Sequence, residues 1–378
     1  MGSSPRARIT WMATVLGLSL AIFGSLPKEV KAQSVELAPG TANAAPGVPK
    51  FRYVPLWPKP LQDKWVFGEL GGTCVDAQDH VFVLSRGDLW PKEEFIATPA
   101  PAVVEFDPEG NVVNSWGKRE VMPRKLHGCS FDSQGNFWIA GEGDAVVQEY
   151  THDGSKMLLQ IGVKGKFDSA DGTISGAPPM NSSHTLLNKP TGVAVDPSNG
   201  DVYISDGNGN HRVVVFDREG HFLRQWGRQG SMAEVDAGVG GVFLKIVHCV
   251  NIGNDGLVYV CDRTGDRIEI FDKMGNYKKS WVVVGKWGAP PHTGPGVACS
   301  VGFSPDPAQK FAYIADCSND EVHIMDRATG KELSNFGRPG HGGGYISSPH
   351  SLAVDSKGNI YIGGSLDDRR LQKFELVK

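Results

Sequence analysis

Three histidines begin the same short phrase: His127-Gly-Cys-Ser-Phe-Asp, His248-Cys-Val-Asn-Ile-Gly and His350-Ser-Leu-Ala-Val-Asp. They stand 121 and 102 residues apart, so nothing local links them. Imidazole is the commonest metal-ligating side chain, and three of them on one ion leave a fourth position open for water or substrate. Metal-assisted chemistry therefore follows only if the fold brings the three phrases to one place. Cys129 lies two residues after His127 and is a soft donor that would favour copper if it faced the same space; a buried or bridged sulfur is the alternative.

The elements that must position them form a repeat. Thr73-Cys-Val-Asp, Thr191-Gly-Val-Ala-Val-Asp and Ala298-Cys-Ser-Val-Gly-Phe complete a set of six phrases, each reading strand, polar turn, strand. A third strand follows in each unit, as in Arg212-Val-Val-Val-Phe-Asp and Arg267-Ile-Glu-Ile-Phe-Asp. A fourth ends in Trp116-Gly117, Trp226-Gly227 or Phe336-Gly337. The anchors Val75, Phe131, Val195, Ile252, Phe303 and Val354 are 51 to 64 residues apart, the spacing of four-stranded propeller blades. The sixth unit lacks a fourth strand, which Phe51-Arg-Tyr-Val can supply from the other end of the chain. The expected fold is all-β, a six-bladed β-propeller closed by an N-terminal strand; an open array of hairpins, the rival, leaves that spare strand unexplained.

In such a ring the residue just before each inner strand faces the central axis. Those residues are Gly71, His127, Thr191, His248, Cys299 and His350, so histidine occupies alternate blades about 120° apart. This is the arrangement a three-histidine metal site needs, zinc being first choice and copper, iron or nickel the alternatives. The bland reading is three hydrogen-bonded histidines lining a channel. Rim loops long enough to carry specificity are residues 87–101, 164–188, 228–245 and 284–296.

Composition narrows the class further. With 48 Gly, 24 Pro and 9 Trp among 378 residues, and 21 % charged, the chain is folded and turn-rich. Arg6 and Arg8 before an apolar run from Ile9 to Leu26, then small residues at Val30-Lys31-Ala32, read as a signal peptide over 1–32, a linker over 33–48 and the propeller over 49–378. Export to a secreted or periplasmic location, with no membrane attachment after cleavage, is the expectation. The formal net charge of −4 argues against nucleic acid as partner. Six cysteines with no Cys-x-x-Cys pair fit disulfides in an oxidising compartment, and Cys249 with Cys261 can bridge one hairpin. There is no Gly-x-Ser-x-Gly elbow or His-Glu-x-x-His helix.

Five stretches, Leu84-Ser-Arg86-Gly-Asp, Leu126-His127-Gly, Val247-His248, Val260-Cys-Asp-Arg263 and Ser348-Pro349-His350-Ser-Leu-Ala, carry a resemblance over nearly all of residues 33–378. The chain resembles the NHL-repeat propellers and, among them, the peptidyl-α-hydroxyglycine α-amidating lyases. The resemblance implies a catalytic Zn2+, or another divalent transition metal, on His127, His248 and His350, with structural Ca2+ as a further candidate ion. It also implies Arg86 as the active-site arginine and Arg263 as the group that binds a substrate carboxylate. The bland alternatives are ion pairs, Arg86 with an acid such as Asp88 and Arg263 with Asp262 or Asp266. Where the family has a catalytic tyrosine after Ser205-Asp206-Gly207, this chain has Asn208, and where it has an acid after the last histidine, Ser351 stands. Asn208 is then a candidate substrate contact, and His211 in the same loop a candidate acid or base. The partner implied is a small-molecule or peptide-derived substrate; metal-dependent hydrolysis of a small ester, lactone or amide, and a non-catalytic propeller that binds a protein, are the alternative functions.

Overall fold

The computed structural model describes Gly2, Ala38 and residues 44–177, 181–284, 292 and 294–377. The chain divides into two compact units, Met1–Val35 and Glu36–Lys378. The expected signal segment lies outside the described residues save Gly2, as do most of the linker and most of the 284–296 loop. Among the described residues no helix is long and apolar enough to cross a membrane.

The second unit is a six-bladed β-propeller. Six four-stranded antiparallel sheets have inner strands Leu70–Val75, Leu126–Phe131, Pro190–Val195, Val247–Ile252, Ala298–Phe303 and Pro349–Val354. Each inner strand touches the inner strands of the blades before and after it, the sixth returning to the first. The sixth blade is completed by Lys50–Tyr53, which pairs antiparallel with Leu371–Val377, Lys50 opposite Val377 and Tyr53 opposite Phe374. Residues 50–53 and 371–377 thus share one sheet, which leaves no blade open at the seam.

The second strand is buried from end to end in five blades, and in the fifth all but its first residue, Phe311, because a middle strand is covered on both faces by neighbouring blades. This is why Val81-Phe-Val-Leu-Ser reads as a continuous apolar run rather than an alternation. Six clusters of buried apolar residues lie one at each blade–blade interface; Tyr259, Ile268 and Trp281 of the fourth blade, for example, pack with Val301, Phe303 and Ile314 of the fifth. The core is therefore a ring of wedges around the axis. Fourth-strand tryptophans clasp the next blade: a Cβ on Gly154 would fall 2.0 Å from the ring of Trp116, so only glycine fits that turn.

The turn after the inner strand is built by the aspartate that ends the phrase. Asp76 Oδ1 accepts from the Gln78 and His80 backbone N–H groups, and Asp132 and Asp355 act in the same way on 134 and 136, and on 357 and 359. Two residues before the ring position the backbone is left-handed at Lys125, Lys189 and Ser348.

All six cysteines are paired. Cys249–Cys261 bridges the hairpin of the fourth blade, as the spacing suggested, and Cys299–Cys317 lies within the fifth. Cys74–Cys129 joins the first two blades, so Cys129 offers no thiolate to a metal. Disulfides of this number persist in oxidising compartments.

Candidate metal centre

His127, His248 and His350 meet at the axis. Their ring centroids are 4.7, 4.5 and 4.8 Å apart, and one ligating nitrogen from each lies within 4.8 Å of the others. All three are buried. The other nitrogen of each ring is already committed, and in the same way each time. Nδ1 of His127 lies 2.5 Å from the carbonyl oxygen of Thr191, that of His248 2.6 Å from Cys299 and that of His350 3.1 Å from Gly71. Each histidine thus bonds to the ring-equivalent residue of the next blade. This bond places the proton on Nδ1 and leaves the Nε2 lone pair facing the axis, the second-shell device that orients metal-ligating imidazoles.

Burial depresses all three imidazole pKa values well below the ordinary histidine range. Among the charged side chains, Arg86 and Lys125 push His127 in the same direction, Arg263 and then Arg86 and Lys125 push His248, and Arg86 and Arg263 push His350. The rings are neutral at neutral pH, and the Nε2 of His248 is buried without a hydrogen-bond partner. Three neutral nitrogens with converging lone pairs, one of them orphaned, fit a divalent transition metal such as Zn2+ with an open coordination position.

A second ring of residues lies next to the first. The residue after each second strand, or in the third blade the second residue after it, donates its backbone N–H to the carbonyl two places before the ring position: Arg86 to Glu69, Glu142 to Lys125, Asn208 to Lys189, Arg263 to Ile246, Cys317 to Val297 and Ser365 to Ser348. Four of these six are polar groups with functional chemistry.

Arg86 bonds the Leu126 carbonyl oxygen through Nε at 3.0 Å and pairs with Glu69. The expected alternative acid, Asp88, is taken by Arg369. Arg263 makes no ion pair among the described residues, and its Nε is buried without a partner. Its neighbouring acids are engaged elsewhere, Asp262 by Arg267 and Asp266 by the backbone N–H groups of His292 and Val297. Burial lowers the Arg263 pKa to about 10, against the opposing pull of Glu142, so it stays charged at neutral pH.

Asn208 faces a residue that sequence reasoning missed. Its Nδ2 donates to Oε1 of Glu142 at 2.6 Å, and Lys125 Nζ reaches the same oxygen at 2.7 Å. The other oxygen, Oε2, is buried, has no hydrogen-bond partner among the described residues and lies 3.8 Å from His127 Nε2. The signal was available: advancing the ring count from the start of the inner strand to the end of the second reaches Glu142 directly. His211 is not drawn into this set. Its backbone N–H is held by Asn181 Oδ1, and among the described residues no hydrogen bond, ion pair or ring contact joins it to the three imidazoles.

The sequence profile of the NHL repeat matches residues 187–216, and that of a β-propeller repeat matches 336–365. The chain is 24 % identical over 316 residues to peptidyl-glycine alpha-amidating monooxygenase B of Xenopus laevis, covering 78 % of this chain and 33 % of that protein. It therefore spans about a third of the length of that relative. It is also 24 % identical over 218 residues to a probable peptidyl-alpha-hydroxyglycine alpha-amidating lyase of Caenorhabditis elegans, covering 54 % of this chain and 55 % of that one. NHL repeat-containing protein 3 of Mus musculus is 27 % identical over 343 residues, covering 86 % and 84 %. Among solved structures, a gluconolactonase of Xanthomonas campestris superposes with a TM-score of 0.54 at 14 % identity, covering 90 % of this chain and 98 % of that one, a likeness of fold alone. The chain carries an NHL repeat on a six-bladed propeller and is similar to the amidating lyases at low identity.

Proposed function

We propose that this chain is a metal-dependent lyase of a secreted or periplasmic compartment, cleaving the C–N bond of an α-hydroxyglycine amide to glyoxylate and a free amide. The observation that carries this reading is the convergence of three neutral imidazoles, each oriented by the next blade. His127, His248 and His350 would hold Zn2+ or a similar ion, which would supply Lewis acidity. The protein's own groups do the rest. Arg263, charged, with its Nε buried and without an ion-pair partner among the described residues, suits a substrate carboxylate, which a guanidinium binds bidentately. Arg86, braced by Glu69 and the Leu126 carbonyl, adds fixed positive charge beside the imidazoles. Asn208 bears on the site through Glu142.

One observation favours a second reading, metal-dependent hydrolysis of a small ester, lactone or amide. Asn208 stands where the amidating lyases carry a tyrosine, and hydrolysis needs no phenol. Both readings are tested by incubating the zinc-loaded protein with an N-acyl-α-hydroxyglycine and measuring glyoxylate. Release that His127→Ala abolishes supports the lyase. Turnover of a lactone or ester without glyoxylate supports the hydrolase, and neither activity in a metal-loaded protein contradicts both.

A further inference from the structure

Glu142 is held as a reacting group would be. Its backbone is fixed by the N–H bond to Lys125 and by Gly143 bonding to the Arg124 carbonyl. Its Oε1 receives Lys125 and Asn208, which fixes the plane of the carboxylate. Its Oε2 receives nothing, although it is buried, and a buried carboxylate oxygen without a donor is costly. The oxygen is open to a donor from a group bound beside His127.

The distance separates two roles. Ligands on a tetrahedral ion at about 2.0–2.1 Å lie about 3.4 Å from one another. Of the three imidazoles only His127 approaches Oε2, at 3.8 Å. The oxygen thus stands beside His127 but outside the set of three whose ligating atoms lie within 4.8 Å of one another.

We propose that Glu142 is a catalytic residue of this site, its Oε2 accepting the proton of the hydroxyl held over the three imidazoles and returning it to the leaving nitrogen. In the carbinolamide the O–H bond breaks and its proton passes to Oε2. The oxygen electron pair forms the C=O bond of glyoxylate, and the C–N pair departs with nitrogen, which takes the proton back as the free amide. Atoms and charge balance without a co-reactant. Asn208 is then a positioning residue: by donating to Oε1 it leaves Oε2 to the reaction. This assignment rests on the lyase reading for its substrate and on geometry for the base.

The test uses the full chain with Glu142→Gln and Glu142→Ala, both metal-loaded. The expected results are metal content equal to the parent, kcat for an N-acyl-α-hydroxyglycine lower by roughly 10²–10⁴-fold, little change in KM, and partial recovery of Glu142→Ala by added formate. Loss of metal from Glu142→Gln, or kcat within a few-fold of the parent, would overturn the assignment. A binding measurement separates its failure from that of the lyase reading. The parent should bind phenyllactate more tightly than 3-phenylpropanoate, and Glu142→Ala should lose that preference. If the parent releases no glyoxylate yet the preference exists and is lost, the lyase reading falls and Glu142 keeps its role. A preference absent from the parent, or retained by the variant, removes the role.

Discussion

His127 and Thr191 occupy the same place on neighbouring blades, and Nδ1 of the first lies 2.5 Å from the carbonyl oxygen of the second. Repeated at His248 with Cys299 and at His350 with Gly71, this bond turns a structural six-fold ring into a chemical three-fold one. Blades with histidine supply the ring nitrogen; blades without it supply the acceptor. The scaffold therefore fixes the tautomer of each imidazole with backbone that no side-chain substitution removes.

Arg263 is expected to bind the substrate's carboxylate. Hydrogen bonds to charged groups contribute about 1.5–3 kcal/mol, so Arg263→Ala should raise KM roughly 10- to 150-fold for the acid and leave the corresponding methyl ester nearly unaffected. Steady-state kinetics on the two substrates provide the check. An equal effect on both would mean that the guanidinium is structural.

His323 should make stability depend on pH in the alkaline direction. Burial opposes its charge, but Asp316 Oδ2 at 3.0 Å from Nε2 and Glu332 Oε1 at 3.3 Å from Nδ1 together outweigh burial and raise its pKa to about 9. A folded pKa above the ordinary 6.5 gives stability fully present below pH 6.5 and lost as pH climbs through about 9. Thermal unfolding between pH 6 and 10 should show this loss, and His323→Gln should flatten it.

Removing Arg212 should be among the most destabilising single changes. Its guanidinium is buried against Asp206 and Asp168 and donates to the carbonyls of Ser183 and Leu186, tying the 164–188 loop to the third blade. Arg212→Ala leaves buried carboxylates unpaired at a cost of about 3–5 kcal/mol. Denaturant unfolding measures it, and a cost under about 1 kcal/mol would show that solvent reaches the pair.

The Cys74–Cys129 bridge should matter most of the three. It closes a span of 55 residues against 12 and 18 for the others, which on chain entropy gives about 4 kcal/mol against about 3. Paired Cys→Ser variants compared by denaturant midpoint should rank in that order.

The repeat was legible because each phrase carries its own turn and its own buried second strand, and the three histidines followed from counting within it. What escaped depended on which side chains the fold sets opposite one another. Cys74 pairs with Cys129 across a blade interface, which no hairpin register reveals. The expected pairing of Arg263 with Asp262 fails because Asp262 stands directly opposite Arg267 on the adjacent strand. The same cross-strand partnership joins Asp206 and Arg212; in the fifth blade Glu321 takes the arginine's place, and His323 supplies the charge instead. Glu142 follows the second strand of its blade, outside the inner-strand phrases that carry the three histidines.

The most direct test of the metal centre is elemental analysis of the purified protein beside a His127→Ala/His248→Ala/His350→Ala variant, both shown to be folded by circular dichroism. The account expects about one divalent transition metal per chain in the parent and background in the variant. Equal metal in the two, or none in a parent dialysed against zinc, would contradict it.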